Sequence, residues 1–310
     1  MILCCGEALI DMIPMRGPDG QIGFAPHCGG AIFNTAIALG RLGTHAGMLT
    51  GLSRDLFGRQ LDAGLRASKV DTSLVVTSDR PTTLAFVEVT NGHAKYTFYD
   101  ENSAGRMMAA DEVPPLPNAV STLYFGGISL CNPPAADSFT DLAAREAGRR
   151  VIMLDPNIRP GFTQDIEAYR ARLDRMISFA NIIKVSDEDL NWIDPAADTL
   201  TDKVRRLLAK GPSVVIMTRG SAGATGYCAG GAEVSITARK ATVVDTVGAG
   251  DTFNAGVLAR AEELGLLVPG ALNKPELDQL GDCLAFGARV AAVTVSRAGA
   301  NPPWRHELDA

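Results

Sequence analysis

The sequence predicts an α/β fold in which a doubly wound, mostly parallel sheet is flanked by helices and carries a small β-sheet lid. Two observations predict it. Short runs rich in β-branched residues alternate with stretches of helical periodicity, and one segment alternates with period two around an Asn-Gly pair. The 310 residues suffice for one large domain. We therefore expect a single domain over residues 1–310.

The predicted strands and helices alternate along the chain. Strands are predicted at residues 2–13, 120–125, 151–154, 182–185 and 214–217, and helices at residues 33–42, 138–148 and 201–209. This alternation is typical of a parallel sheet with helices on both faces.

Residues 82–99 do not follow this alternation. Two runs of period two flank Asn91-Gly92, a strong signal for a tight hairpin, and apolar side chains fall on both faces of the first run. A hairpin that is apolar on both faces is expected to be covered on both sides. With residues of about 13–28, it is predicted to form the lid. The second apolar face predicts a homodimer in which one lid covers the other.

Composition excludes several function classes. Twenty-nine Lys and Arg against 35 Asp and Glu give a formal charge of −6 without basic runs, which disfavours nucleic acid as a partner. The sequence contains no apolar run long enough to cross a bilayer, so we expect no membrane partner. Six scattered cysteines without a CxxC pair and four isolated histidines provide no zinc spacing. We expect a cytoplasmic protein with reduced thiols.

Polar or glycine-rich residues follow the predicted strands. Ligands of open parallel sheets bind beyond the carboxyl ends of the strands, so these residues are expected to lie near one another. Each could by itself be a turn or a helix cap. Together they indicate a binding site, formed by Asp11, the stretch from Gly29 to Asn34, Gly126-Gly127, Asp155 to Arg159, Ser186 to Asp189, and Thr218 to Gly223.

The most informative stretch is DTVGAGDTFNAG at residues 245–256. The small residues Gly248, Ala249 and Gly250 allow consecutive N–H groups to form an anion nest. Helical spacing follows, with Gly265 as its predicted stop, so the nest is expected at a helix N-terminus. Asp251 in the first turn would repel a bare anion, but it could take a proton from a hydroxyl that attacks a phosphorus atom. Alternatively, it only complements the helix dipole.

The usual nucleotide-binding signatures are missing. The sequence contains neither GxxxxGK[ST] nor a GxGxxG after the first strand, which disfavours a P-loop protein and a nicotinamide enzyme. Any nucleotide must be bound by other means.

Two long motifs resemble those of the ribokinase-like (PfkB) carbohydrate kinases, over essentially the whole chain. One is GGAIFNTA at residues 29–36 and the other is DTVGAGD at residues 245–251. The opening CGEALID at residues 5–11 and the stretch at residues 98–106 are most similar to bacterial fructokinases. The resemblance implies a ribokinase-like body with a β-lid.

The resemblance also implies roles for particular residues. Asp251 corresponds to the catalytic base, residues 248–250 to the anion hole, and Arg159 to a residue near the transferring phosphate. The sugar would contact Asp251 and a group of residues near the N-terminus, namely Asp11, Gly29, Gly30 and Asn34. ATP would contact the nest at Gly248 and Gly250, and also Lys184, Ser186, Thr218, Gly220 and Gly223.

Two cations are implied. Asp245 and Val247 resemble a monovalent-cation site, which predicts K⁺. Mg²⁺ is expected near an NxxE motif, but this chain has Ser-Asp-Glu-Asp at residues 186–189, so Glu188 and Asp189 both remain candidates.

The implied activity is transfer of the γ-phosphoryl group of ATP to a primary hydroxyl of a small sugar, with fructose expected. A ketodeoxygluconate kinase and a ribokinase are alternatives, because polyols share the same hydrogen-bonding groups. An alternative of another class is a sugar or nucleotide sensor without catalysis.

Overall fold

The computed structural model describes residues 1–90 and 93–308, in which a large and a small sheet are the main elements. The strands are β1 (Ile2–Cys5), β2 (Leu9–Arg16), β3 (Ile22–Gly29), β4 (Ala46–Leu49), β5 (Gly51–Ser53), β6 (Val76–Ser78), β7 (Leu84–Thr90), β8 (His93–Tyr99), β9 (Thr122–Gly126), β10 (Val151–Asp155), β11 (Ile182–Ser186), β12 (Val214–Thr218), β13 (Ala224–Cys228) and β14 (Glu233–Ile236). The α-helices are α1 (Ala31–Arg41), α2 (Leu56–Ala67), α3 (Ala135–Glu146), α4 (Ile166–Phe179), α5 (Asp187–Ile193), α6 (Leu200–Leu208), α7 (Ala249–Glu263) and α8 (Leu277–Val295).

The large sheet has the order β14-β13-β12-β11-β10-β9-β1-β4. Pairing is parallel from β4 to β12 and antiparallel only at β13 and β14, which confirms the mostly parallel sheet. The predicted strands that begin at residues 120, 151, 182 and 214 agree with β9 to β12 within two residues.

Both faces of the large sheet are covered by helices. Along β1, Ile2 and Cys4 belong to one hydrophobic core, whereas Leu3 and Cys5 belong to the other. Apolar residues of α1, α2, α7 and α8 complete the first core, and those of α3 to α6 complete the second. All four β1 side chains are buried, as expected for the central part of a doubly covered sheet.

The prediction of one strand over residues 2–13 is wrong. The chain leaves the large sheet after Cys5 and enters the small sheet at Leu9. Gly6 lies at this break, and the packing there requires glycine, because a Cβ would lie 2.5 Å from Cγ1 of Ile32 and 2.7 Å from Oγ of Ser129.

The small sheet consists of β2, β3, β7 and β8, in the order β3-β2-β7-β8. The sequence had indicated residues 13–28 and 82–99 for it, and the β2 strand begins earlier, at Leu9. The predicted Asn91-Gly92 turn lies outside the described residues. Ala85 and Val87 of β7 are buried on one face, whereas Phe86 packs on the other face against Phe24 and Tyr99.

The parallel strands of the large sheet end at one common edge, where α1 and α7 also begin. Gly248, the N-cap of α7, has a φ of 77°, in the left-handed region that glycine adopts most readily. The helix ends at Glu263, and Gly265 follows with a φ of 71°, as the sequence predicted. Within the described part of the chain, we find no helix of the length and apolarity needed to span a membrane.

Candidate active site

A cavity of about 330 Å³ lies where the carboxyl ends of β1, β9 and β10 meet the N-termini of α1 and α7. The small sheet forms its wall through Leu9, Asp11, Tyr96 and Phe98. Ten residues for which the resemblance implied a role line this cavity: Asp11, Gly30, Asn34, Arg159, Lys184, Val247, Gly248, Ala249, Gly250 and Asp251. Ala31, Gly127, Asp155 and Asn157, from the predicted stretches that follow the strands, line it as well.

The first turn of α7 presents N–H groups at the cavity. The first i→i−4 bond of the helix runs from the Thr252 N–H to the Gly248 carbonyl at 2.9 Å, so the N–H groups of Gly250 and Asp251 precede the helical ladder. The Ala249 N–H instead donates to Thr246 at 3.3 Å, within the preceding turn. The helix dipole adds positive potential at the same place. The turn can therefore bind an anion through two N–H groups.

Asp251 is buried beside this turn. Its Oδ2 accepts a hydrogen bond of 2.9 Å from Nδ2 of Asn34 on α1. Burial raises the pKa of Asp251 to about 6, the Asn34 bond lowers it, and the neighbouring Asp155 raises it further. The carboxylate is therefore mostly ionised at neutral pH and only weakly solvated, so it can accept a proton from a hydroxyl in the cavity.

Asp11 lies on β2, in the wall opposite the large sheet. Burial raises its pKa to about 6. Gly29 of β3 pairs with Leu9, two residues before Asp11, and a Cβ on Gly29 would lie only 2.1 Å from Asp11 Oδ2. Gly29 therefore provides room for the Asp11 carboxylate rather than lining the cavity itself. Gly30, the N-cap of α1, has a φ of 106° and passes close to Glu7.

Glu7 is a cavity residue that the sequence reasoning did not single out. Its Oε1 accepts the Ala31 N–H at 3.0 Å and its Oε2 accepts the Ser129 N–H at 3.3 Å. Burial raises the pKa of Glu7 to about 7, although the N–H donors lower it. The side chain links the start of α1 to the segment after β9. Its position directly after a buried strand was the signal that could have identified it.

A buried polar network underlies the cavity. Lys184 Nζ of β11 donates to Asp155 Oδ2 of β10 at 3.1 Å, and both side chains are less than one-tenth exposed. Asn254 Nδ2 of α7 donates to the same Asp155 oxygen at 2.7 Å and to the Tyr124 hydroxyl at 2.9 Å. Nζ of Lys184 also lies near the nest, 3.3 Å from the position of a Cβ on Gly250.

The pKa values of both members of the Lys184–Asp155 pair are raised. Burial raises the pKa of Asp155, while Lys184 and Asn254 oppose that rise. Burial lowers the pKa of Lys184, but the carboxylates of Asp155 and Asp189 more than compensate, so the net direction is upward. The other oxygen of Asp155 is buried without a partner among the described residues, and Asp155 lines the cavity.

Arg159 contributes a cation to the cavity. Its Nη1 donates to the carbonyls of Ile158 at 3.0 Å and Asn157 at 3.4 Å. Within residues 1–90 and 93–308, no carboxylate forms a salt bridge with it. These contacts leave the Arg159 guanidinium available to an anion.

Of the other predicted nucleotide residues, Ser186 of β11, Thr218 of β12 and the glycines at 220 and 223 lie outside the cavity lining, farther along the same edge. Ser186 and Thr218 end neighbouring strands and are paired in register. A tight turn follows, in which Arg219 N–H donates to Gly223 at 2.9 Å and Gly223 N–H donates to Gly220 at 3.1 Å. Gly223 has a φ of 95°, and a Cβ there would lie 2.1 Å from the Ile236 carbonyl. The turn thus depends on glycine at residue 223.

The candidate metal carboxylates differ in their surroundings. Both oxygens of Asp189 are used: Oδ1 accepts the Ile158 N–H at 2.9 Å, and Oδ2 accepts the Ser186 hydroxyl at 2.8 Å in a capping box of α5. Glu188 is exposed at the same edge. Asp245 links two loops, since it accepts the Val247 N–H at 3.0 Å and the Gly299 N–H at 2.8 Å.

Comparison with known proteins identifies relatives. The family model described as pfkB family carbohydrate kinase matches residues 1–307. A fructokinase of Rhizobium leguminosarum bv. trifolii is 49% identical over 84% of this chain and 79% of its own length. A fructokinase of Klebsiella pneumoniae is 31% identical over 98% of this chain and 96% of its own. Among solved structures, a fructokinase with bound ATP from Xylella fastidiosa is 25% identical, with a TM-score of 0.87 over 99% of this chain and 97% of its own.

The buried ion pair predicts a specific pattern of stability. Lys184→Met is expected to lower the free energy of unfolding by about 3–5 kcal/mol, because Asp155 is then buried without its cation. Adding Asp155→Asn removes the uncompensated charge, so the double variant is expected to be more stable than Lys184→Met alone. Urea denaturation of the wild type, Lys184→Met and the double variant measures both effects.

Lys210→Met provides the matched control. Lys210 pairs with Asp174 at 2.6 Å, but the two side chains are 44% and 61% exposed, and such surface pairs contribute at most about 1 kcal/mol. Equal losses for Lys184→Met and Lys210→Met would contradict the role assigned to the buried pair.

Proposed function

The chain belongs to the pfkB family of carbohydrate kinases, and we propose that within this family it is a fructokinase that phosphorylates a primary hydroxyl of fructose with ATP. The observation that supports fructose is the similarity to a fructokinase at 49% identity over 84% of the chain. The cavity supports the chemistry, because it places a buried carboxylate, Asp251, beside the N–H groups of α7.

The sugar is proposed to bind between the small sheet and α1. Asp11 is a half-buried carboxylate with no hydrogen-bond donor from the described residues, so it can accept hydrogen bonds from two sugar hydroxyls. Asn34 holds Asp251 through its amide hydrogen and keeps its amide oxygen for a sugar hydroxyl. Gly30 lines the cavity beside these groups, and Gly29 leaves room for the Asp11 carboxylate. The attacking hydroxyl would then lie next to Asp251.

Phosphoryl transfer would take place at the first turn of α7. In a loose transition state, charge lies on the equatorial oxygens of the transferring group, and positioning with electrostatic stabilisation provides most of the catalysis. The N–H groups at Gly250 and Asp251 point at this position, Lys184 lies beside them, and Arg159 adds a cation that no carboxylate of the described residues engages. Asp251 accepts the proton of the sugar hydroxyl.

ATP is proposed to extend from the nest along the sheet edge. The phosphates would contact Gly248, Gly250 and Lys184, and the remainder would lie over Ser186 and the turn formed by Thr218, Gly220 and Gly223. These residues follow neighbouring parallel strands, the usual place for a nucleotide in a sheet of this type.

Two cations are proposed to assist phosphoryl transfer. Mg²⁺ would neutralise phosphate charge, and Glu188 is favoured over Asp189 near it because Asp189 already uses both oxygens. K⁺ would bind beside Asp245 and the Val247 backbone, which join the loop before α7 to residue 299. Equal rates in potassium and tetramethylammonium salts would contradict the K⁺ proposal.

Two alternatives make different demands on the site. A ketodeoxygluconate kinase or a ribokinase would use the same Asp11 and Asn34 contacts, so the sugar has to be tested directly. A sensor without catalysis would not require a carboxylate such as Asp251 next to the anion-binding turn.

A cytoplasmic location is proposed from six free cysteines, five of them buried, and cell fractionation tests it.

The substrate prediction concerns kcat/KM. Fructose is expected to give the highest value in a coupled ADP-release assay with fructose, ribose, ketodeoxygluconate, tagatose and adenosine. A clear preference for ribose or ketodeoxygluconate would contradict fructose and leave the kinase assignment intact. Sugar binding without ADP release from any of the five would instead favour the sensor.

Asp251→Asn is expected to lower kcat by about 10²–10⁴-fold, because the proton acceptor is removed. The substitution is nearly isosteric and its oxygen can still accept the Asn34 bond, so the fold should persist. Nucleotide affinity should hold or improve, since a negative charge near the phosphates is gone. The measurement is kcat together with nucleotide Kd in the same preparation.

Asp202→Asn is the matched control, because Asp202 is also a first-turn acid, in α6, and lies outside the cavity. It should change stability by only a few tenths to about 1 kcal/mol and leave kcat unchanged. If Asp251→Asn kept more than about one-tenth of kcat, Asp251 would be only a dipole-complementing residue.

A homodimer through the small sheet is proposed from its exposed apolar side chains. Ile22, Phe24 and Tyr99 are 64%, 43% and 58% exposed on the face away from the cavity, and Met15 and Tyr96 are 52% and 41% exposed on the other. Exposed apolar groups on both faces of one sheet are typical of an interface.

Light scattering is expected to report a dimer for the wild type at micromolar concentration. Phe24→Glu should shift the equilibrium to monomer, because it places a charge in the proposed interface. Leu56→Glu is the control, since Leu56 is 65% exposed on α2. A monomeric wild type, or equal behaviour of the two variants, would exclude this interface.

A further inference from the structure

A second, larger depression lies at the opposite edge of the large sheet. It has a volume of about 800 Å³ and is formed by the segments that precede β9 and β10 and by the segment that follows α7. Because β9 and β10 run from this edge to the cavity, the two sites are separated by the length of a five-residue strand, about 15 Å or more. We call it the arginine groove, after Arg145, Arg149 and Arg150, which line it.

The lining of the arginine groove is positive, although the chain carries a formal charge of −6. Three arginines face one carboxylate, Glu146, among the described lining residues, so the formal balance is +3 − 1 = +2. Glu146 is already engaged twice, by Arg150 at 2.8 Å and by Arg145 at 3.3 Å. It has little capacity left to neutralise a third arginine.

The three arginines are held differently. Arg150 is fixed, since it binds Glu146 and also donates to the Val120 carbonyl, and its side chain is 13% exposed. Arg145 is 49% exposed, and its one ion pair is with Glu146. Arg149 is exposed, and in the part of the chain that the structure describes its guanidinium has neither a hydrogen bond nor an ion pair. One rigid and two available guanidinium groups therefore surround the same space.

The dipole of α3 explains only part of this charge. Arg145 lies in the last turn of α3, where the helix dipole favours a cation. Arg150 donates to the carbonyl of Val120, which lies outside the helix. Arg149 lies past the helix end, after Gly148 with a φ of 75°, and it binds no carbonyl through its side chain. Neither the helix dipole nor a carbonyl contact therefore explains the position of the Arg149 guanidinium.

Most of the remaining lining is apolar, with Asn118 and Ser121 as its polar members. Leu116 and Pro115 lie on one side, and Leu267, Val268 and Pro269 lie on the other, with Val268 51% exposed. The volume falls within the range of small-molecule sites. An occupant that matches these walls combines a compact anionic group with an apolar or ring-shaped body.

We propose that the arginine groove binds a small organic phosphate, whose dianionic phosphate group contacts Arg145, Arg149 and Arg150 and whose body packs against Val268. A phosphate monoester carries close to two negative charges at neutral pH, which matches the +2 balance of the lining. A carboxylate would leave one positive charge uncompensated. Guanidinium groups also bind phosphate oxygens in a bidentate manner.

The proposal is tested by isothermal titration with phenyl phosphate, which has both a phosphate and an apolar ring. Inorganic phosphate lacks the body, and benzoate has the body with a single charge. Wild type is expected to bind phenyl phosphate more tightly than either comparison compound. Arg149→Ala and Val268→Asp are each expected to weaken phenyl phosphate binding by about tenfold or more.

Both substitutions are at exposed side chains, so the variants are expected to fold, and thermal unfolding verifies it. Arg205→Ala is the matched control: Arg205 is 72% exposed on α6 and lies outside the groove. Phenyl phosphate that binds in the cavity beside Asp251 would do so equally in all variants. Its contribution therefore cancels when the affinities of the variants are compared. Equal affinity of Arg149→Ala and Arg205→Ala, equally tight binding of benzoate, or no binding of phenyl phosphate at millimolar concentration would each overturn the proposal.

Discussion

The buried pair of Lys184 and Asp155 is the interaction on which the geometry of the cavity depends. It joins β10 to β11, and Asn254 attaches α7 to the same carboxylate oxygen. Removing two charges from water is costly, and the cost is offset only when the partners are held in good geometry. The network therefore favours one arrangement of two strands and one helix. The Lys184 ammonium and the first turn of α7 are held beside each other in consequence.

A second constraint is the break in the chain between β1 and β2. Gly6 has no space for a Cβ, and Glu7 binds the first N–H of α1 together with Ser129. The chain then leaves the large sheet, and β2 carries Asp11 into the wall that faces α7. One short turn thus gives both the cap of α1 and the position of a carboxylate opposite Asp251. The two sheets meet at this turn rather than at a flexible linker.

Sequence patterns predicted the elements that depend on residues close together in the chain. Strands β9 to β12 follow from apolar runs, and the turn at Gly248 with Asp251 after it follows from residue type and spacing. The break at Gly6 was missed because apolar runs on both its sides resemble one strand. Asp155 and Asn254 are 99 residues apart, and no local pattern encodes their contact. For Asp189 a signal was present, since Ser186 and Asp189 have the spacing of a capping box, which competes with a metal for the carboxylate.

The charges of the cavity relate its carboxylates to the proposed reaction. Four carboxylates line it, those of Glu7, Asp11, Asp155 and Asp251, against the two cations Arg159 and Lys184. Burial raises the pKa of Glu7, Asp11 and Asp251, and Asp251 adds to the rise at Glu7. Such a cavity repels a bare polyphosphate but suits a phosphate whose charge is offset by a divalent cation. The excess of carboxylates therefore favours a metal–nucleotide complex as the phosphoryl donor, and Asp251 would supply the proton acceptor next to the proposed sugar position.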